Sequence, residues 1–373
     1  MDSSELRHMY EYFKMLDENN AAILEAMSTL GPRNVSAIAR ATKLPIETVR
    51  FRINEMRLKG LLGVRATIDF SKLGLVQVVV FMEGFPAKLR MLESFCEINP
   101  YWTYLVRCYG PRVGYYCMYM MPAGQELKFL SLLEKAKKIG FLREFKFLCT
   151  TTTFFARPSF KWFNFINRTW DFKWEEWVME VKDASNQLLP ALKEPPSYNI
   201  LADHNDLLIL EHLQEDALRP FTQISRATKI PKLSVRYHYL QHILGKGFIT
   251  GYRPIISPFP LPLLAYLVFF FTFDNEGALS KFANSIADKP FVHSFAKVLG
   301  KNELRVDVHI PFTEFNAFMH ALLTLAEAQL ISDFQYLTID LSTYRHWTIR
   351  PELFVDGNWE YDHDAQMRKL TQK

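Results

Sequence analysis

Cysteine is scarce and one-sided in this chain of 373 residues: Cys96, Cys108, Cys117 and Cys149 lie in the first half, and the second half has none. No pair has zinc spacing and no disulfide framework is apparent, so buried, reduced thiols in a cytoplasmic protein are expected. Long apolar runs are missing too. The longest, Leu261 to Phe273, is too short for a membrane-spanning helix, contains Pro262 and is rich in Phe and Val, so it reads as a buried strand. Met1 to Lys14 is charged and has no apolar core, unlike a signal peptide. No nucleophile–base pair, phosphate loop or carboxylate dyad stands out. The resulting expectations are no catalytic residues, no metal, no cofactor and no enzyme.

What the sequence does have is a repeat. Ala39-Arg40-Ala41-Thr42-Lys43-Leu44-Pro45, with Val49-Arg50 after it, returns 186 positions later as Ser225-Arg226-Ala227-Thr228-Lys229-Ile230-Pro231 with Val235-Arg236. Lys59-Gly60-Leu61-Leu62 returns as Lys246-Gly247-Phe248-Ile249, and Trp170-Asp171-Phe172 is echoed by Trp359-Glu360-Tyr361. A repeat this long is a duplicated multidomain module rather than a solenoid unit. Charge follows the same division. Arg40 to Arg65 holds seven basic and two acidic residues, while Arg219 to Arg253 holds seven basic and no acidic ones. With a net charge of only +4 overall, the rest of the chain is negative. Basic charge at matching places in both copies points to a polyanion, double-stranded DNA first.

Helical spacing predicts helices over Asn19–Leu30, about 34–42 and Ile46–Lys59, with Lys43-Leu44-Pro45 as a tight turn between the last two. A strand over Leu62–Ile68 and a turn to Gly74 complete a winged helix-turn-helix with a hairpin wing. Strands over Val76–Glu83, Tyr101–Tyr109, Gly114–Met121 and Arg143–Phe154 interleave with helices Ala87–Ile98 and Gln125–Lys138, the βαββαβ order of a ferredoxin-like domain. Copy two repeats that order from Leu264 to Ser342. The fold class is therefore α+β, with two winged helix-turn-helix and two ferredoxin-like domains. The divisions fall at 1–74, 75–156, 157–199 (aromatic tail and linker), 200–260, 261–343 and 344–373 (C-terminal tail). The aromatic tails are expected to pack against a sheet or the partner copy.

The stretches Asn34-Val35-Ser36-Ala37-Ile38-Ala39, Leu44-Pro45-x-x-Thr48-Val49-x-x-Arg52-Ile53 and Lys59-Gly60-Leu61-Leu62-Gly63-Val64-Arg65 lead through Lys72-Leu73-Gly74 into βαββαβ. In them the chain resembles the Lrp/AsnC (leucine-responsive regulator) family, and copy two matches through Lys246 to Pro254. The resemblance covers most of the chain apart from the aromatic tails. It implies a sequence-specific DNA-binding transcriptional regulator. That family carries one copy per chain and pairs through the ferredoxin-like domains, which also form its effector sites. Two fused copies imply a covalent pseudo-dimer with its sheets face to face, and leave room for a homo-oligomer.

DNA recognition needs side chains that reach base edges and cations for phosphates. In copy one Thr48 and Arg50 are placed for the groove, Lys43 and Arg52 for phosphate; in copy two Lys229, Lys232, Ser234, Arg236 and His238 take the corresponding places. Arg65 and Arg253 sit on the wings, where they would touch the backbone or minor groove. The recognition helices differ, so two unlike half-sites are expected. His238 and His242 have the spacing of a zinc pair, but no third ligand lies nearby in sequence, and a surface pair is expected. The resemblance places a small-molecule effector site at the turns carrying Gly110, Arg112 and Gly114 in copy one and Gly300 and Glu303 in copy two. The family's nearby Asp is missing from the first turn and displaced in the second. One rival reading is a protein-interaction scaffold whose helix-turn-helix does not touch DNA, which Arg50 and Arg236 at equivalent positions disfavour. The main rival is an enzyme: siroheme decarboxylases share this architecture and use histidines and arginines of the ferredoxin-like domain. Copy one has no histidine there, and His293, His309 and His320 of copy two stand without the expected neighbours.

Overall fold

The computed structural model describes residues 11–255 and 263–371; the ends of the chain and part of the second wing's exit, including the start of the Leu261–Phe273 run, lie outside it. Among the described residues no helix is long and apolar enough to cross a membrane. Copy one opens with α1 (Glu18–Leu30), capped by Asp17, whose side chain accepts from the Asn20 amide, and stopped at Gly31, where φ is 84°. Helices α2 (Val35–Thr42) and α3 (Ile46–Leu58) meet at Lys43, left-handed at φ 58°. Val49, Ile53 and Met56 of α3 are buried, as its spacing predicts. Copy two repeats the trio as α7 (His204–Glu215), α8 (Phe221–Thr228) and α9 (Lys232–Tyr237), with Lys229 again left-handed at φ 61°.

The wings depart from the sequence reading. Instead of folding back as a hairpin within each copy, β1 (Gly63–Ile68) pairs antiparallel with β9 (Ile249–Ile255) of the other copy, placing Arg65 opposite Arg253. Each wing strand thereby satisfies its backbone on its counterpart.

The ferredoxin-like strands of copy one are β2 (Leu75–Glu83), β3 (Trp102–Tyr109), β4 (Gly114–Pro122) and β5 (Glu144–Thr150), continued by the short β6 (Phe154–Phe155). Helices α4 (Leu89–Cys96) and α5 (Glu126–Lys138) cover them. After the small β7–β8 hairpin (Phe163–Asn164, Thr169–Trp170) and α6 (Trp174–Asp183), copy two supplies β10 (Leu264–Thr272), β11 (Val292–Lys297), β12 (Glu303–Pro311) and β13 (Asp333–His346), with α10 (Glu276–Ile286) and α11 (Phe315–Glu327). The two sheets join edge to edge in one nine-stranded order, β5-β2-β4-β3-β13-β10-β12-β11-β6. Its ends, β5 and β6, are consecutive in the chain, so the sheet returns on itself. Inner-face side chains of both copies, among them Val79, Val106, Tyr116, Tyr266, Val268 and Ile339, share one core. This is why β2 is buried along nearly its whole length.

Each aromatic tail packs on the opposite copy. Trp162, Trp174 and Trp177 lie among Phe282, Phe291 and Phe318 of copy two. The copy-two tail carries β14–β15 (Phe354–Val355, Asn358–Trp359) and α12 (His363–Thr371). There Trp359 Nε1 donates to the Leu73 carbonyl at 2.6 Å and the Tyr101 hydroxyl to the Glu360 carbonyl at 2.5 Å.

Candidate active site

Alternation along β12 turns Leu304, Val306 and Val308 toward the helices and Arg305, Asp307 and His309 toward the interior. The fully buried Arg305 donates through Nη1 to Asp307 Oδ2 at 2.8 Å and to the Tyr116 hydroxyl of copy one at 3.1 Å. Ser294 on β11 donates to the same Asp307 oxygen. From the paired wings, Arg253 Nη1 donates to His293 Nε2 at 3.0 Å, with its guanidinium 4.1 Å from the centre of the Phe155 ring. A guanidinium only donates, so Nε2 is the acceptor and the His293 proton resides on Nδ1. The His293 and His309 rings stack at 4.5 Å, and His309 lies 4.3 Å from Tyr266. Arg253, His293 and His309 line a cavity of about 90 Å³ with Phe160, Trp170 and Pro290.

Protein surrounds these groups even where their tips meet the cavity. Burial first, then the Arg253 cation, lowers His309 to about 3. Burial, His309 and Arg253, in that order, hold His293 well below the ordinary histidine range. Both rings are thus neutral near neutral pH. Burial lowers Arg253 to about 10, with Arg65 adding to the effect, so it stays a cation. Burial raises the Asp307 carboxyl against the opposing pull of Arg305. Arg65 Nε, Arg253 Nε and Asp307 Oδ1 are buried without a protein partner. Of these groups Arg253 lines the cavity, where its guanidinium could receive a carboxylate-bearing ligand.

The duplication provides an internal comparison. Leu75 pairs with Pro122 as Leu264 pairs with Pro311, which equates Tyr116, Met118 and Met120 with Arg305, Asp307 and His309. The corresponding cavity in copy one, lined by Pro100, Trp102, Thr103 and Met120, measures only about 10 Å³. One copy carries the polar site; side chains fill the other.

The residues assigned to DNA separate into groups. Lys43, Lys229, Lys232 and Arg236 are exposed, Thr48 and Ser234 half-buried. Arg50 pairs with Glu47 on its own helix. Arg52 is held inside its domain, donating to Asp17 at 2.7 Å and Asn20 at 3.1 Å. Arg253 faces the cavity, and Arg65 lies close enough to lower the proton affinity of Arg253 and His293. His238 turns inward to Asp206. The effector-assigned residues occupy turns: Arg112 pairs with Glu83 at 2.9 Å, Glu303 with Lys301 at 3.4 Å, and the Gly300 amide donates to Glu194. Gly110 and Gly300 have φ of 153° and 71°. At Gly114 a Cβ would meet the Met82 carbonyl at 1.9 Å, so the backbones need a glycine there. Neither described cavity is lined by these residues. The sequence reading set His293 and His309 aside; the cation that His293 meets, Arg253, lies 40 positions away on a wing.

No family model matches the sequence, and no curated protein does. Among solved structures, the chain is similar to the siroheme decarboxylase NirDL, at 12% identity with a TM-score of 0.56, over 95% of this chain and 99% of that one. It is also similar to NirDL in complex with an iron-uroporphyrin III analogue, at 11% identity and TM-score 0.53, over 86% and 91%. An AsnC-family transcriptional regulator from Agrobacterium tumefaciens matches 36% of this chain and 89% of its own at 19% identity, with a TM-score of 0.30. The whole-chain likeness shows the fold, and its bearer is an enzyme. The expectation that the chain is not an enzyme is corrected by that finding: the fold along the whole chain is one that an enzyme carries.

Proposed function

We propose that this chain decarboxylates a carboxylate-rich iron tetrapyrrole of the siroheme class. The observation that carries the reading is the cavity where Arg253, with Arg65 opposite it on the other wing, meets His293 and His309, while the counterpart in copy one measures only about 10 Å³. A cavity of about 90 Å³ suits an acid arm rather than a macrocycle, so the ring would lie across the mouth near Phe160 and Trp170. The arginines suit carboxylates that stay on the substrate. Pairing with the reacting one would stabilise it against loss, whereas the stacked rings and Tyr266 offer a poorly solvating surface that favours neutral CO2. The C–C bond breaks, its electron pair stays on the substrate carbon, CO2 leaves, and a proton takes its place. His309, whose ring makes only ring contacts among the described residues, is placed to relay that proton while staying neutral overall: one ring nitrogen gives its proton to the substrate carbon as the other takes one from solvent. Incubation with siroheme under reducing conditions should yield decarboxylated product by mass spectrometry. His309→Ala and Arg253→Ala should slow it by about 100-fold or more. No product, with no change in the tetrapyrrole absorbance on mixing, would refute the reading.

A second activity, DNA binding by the helix-turn-helix pair, is favoured by one observation: among the described residues Arg226, Lys229, Lys232 and Arg236 are exposed and make no ion pair. Two unlike half-sites would then be read. Binding to genomic fragments should weaken with salt at a log–log slope of about −5 to −9 for roughly 6–10 phosphate contacts, and be lost in Arg50→Ala/Arg236→Ala. Binding that is absent at low salt would leave the helix-turn-helix domains a purely structural role.

A further inference from the structure

The repeat, offset by 186 positions, equates Asp17, Asn20, Arg52 and Met56 with Asp203, Asp206, His238 and His242. In copy one a guanidinium fills this place: Arg52 Nη1 donates to Asp17 Oδ2 and Asn20 Oδ1, tying the recognition helix to the first helix. In copy two the arginine is gone, the uncharged Asn20 has become Asp206, and that carboxylate is fully buried. Two imidazoles now face it. His238 Nδ1 stands 2.7 Å and His242 Nδ1 3.2 Å from Asp206 Oδ1, while Asp203 Oδ2 lies 3.6 Å from His242 Nδ1 and Asp203 Oδ1 lies 3.8 Å from His238 Nδ1. The four side chains offer ligand atoms all within 4.8 Å of one another. A second difference falls at the same point. The helix carrying the histidines widens into a π-helix over His238–Leu244, whereas α3 stays α-helical to Leu58, and such widenings recur at functional sites.

We infer that Asp203, Asp206, His238 and His242 form a binding site for a borderline divalent metal ion, of which zinc is the representative. Ligands at about 2.0–2.2 Å in a tetrahedron stand about 3.4 Å apart, close to the spacings here, and two nitrogens with two oxygens suit zinc better than magnesium or calcium. The carboxylates are already oriented. The Asp203 amide donates to Asp206 Oδ2 at 3.1 Å and the Asp206 amide to Asp203 Oδ1 at 2.9 Å, leaving Asp206 Oδ1 and Asp203 Oδ2 for the ion. Asp203 is half exposed and gives the ion a route in. The metal replaces the internal cation that copy one supplies covalently, and pins the second recognition helix as Arg52 pins the first. The site lies apart from the cavity and does not depend on the proposed chemistry there.

The test is titration of the untagged full chain, stripped with a chelator, by zinc and by cobalt(II). Wild type should take up one equivalent of either, give the intense visible bands of tetrahedral cobalt(II), and melt at a higher temperature with zinc. His242→Gln removes one ligand, and His238→Arg transplants the copy-one arrangement, so the latter should fold without needing the ion. Both variants should keep their circular dichroism and bind zinc at least about 100-fold more weakly. Failure of wild type to bind one equivalent at micromolar free zinc, or unchanged affinity in both variants, would overturn the site and leave two imidazoles hydrogen-bonded to Asp206.

Discussion

At the scale of single residues, the cavity is defined by neutral histidines beside cations. An unfolded histidine titrates near 6.5, whereas His309 in the native chain is lowered to about 3 by burial and Arg253. Between those values the unfolded chain binds a proton that the native chain refuses, so stability falls as pH drops through the window. Urea midpoints followed from about pH 7 to 4 should decline, and His309→Phe should decline less steeply. An equal slope in both proteins would mean that His309 is not held neutral. Little of this was legible in sequence. His293 and Arg253 are 40 positions apart, and Arg305 meets Tyr116 across 189. No local pattern announces such partners. Arg52 shows the opposite error: its type and helix position suited phosphate, but Asp17 at the start of α1 claims it.

At the scale of elements, periodicity located nearly every helix and strand but could not name their partners. The β1 strand stands where expected, yet its hydrogen bonds run to β9, because alternation marks a strand and leaves open which edge it joins. The aromatic tails were expected to pack, and they do. Trp177 is fully buried against Phe282, Phe291 and Phe318. Trp177→Ala should therefore cost about 3–5 kcal/mol of unfolding free energy, through lost burial and the cavity left behind. Equilibrium denaturation measures it. A loss below about 1 kcal/mol would mean that the tail's docking on copy two contributes little to stability.

At the scale of the whole molecule, the two copies are interlocked. Wings pair across copies, tails cross over, and Arg57 of copy one pairs with Asp216 of copy two at 2.7 Å. Residues 1–199 and 200–373 expressed separately should each fail to unfold cooperatively, and should regain a single transition when mixed. Independent cooperative folding of either half would contradict this. The duplicated α+β architecture was readable from the repeat alone; the closure of nine strands into one sheet was not, since it depends on pairing at the extremities of β5–β6 and β13. Fusion also broke a symmetry that identical subunits would have to keep. With Met118 and Met120 standing where Asp307 and His309 stand, a titration should saturate at a single ligand per chain, a permanent half-of-sites stoichiometry written into the covalent structure. On the proposed reading copy one hosts no reaction of its own, and its polar contribution is made across the seam, through Tyr116 to Arg305 and Arg65 beside Arg253.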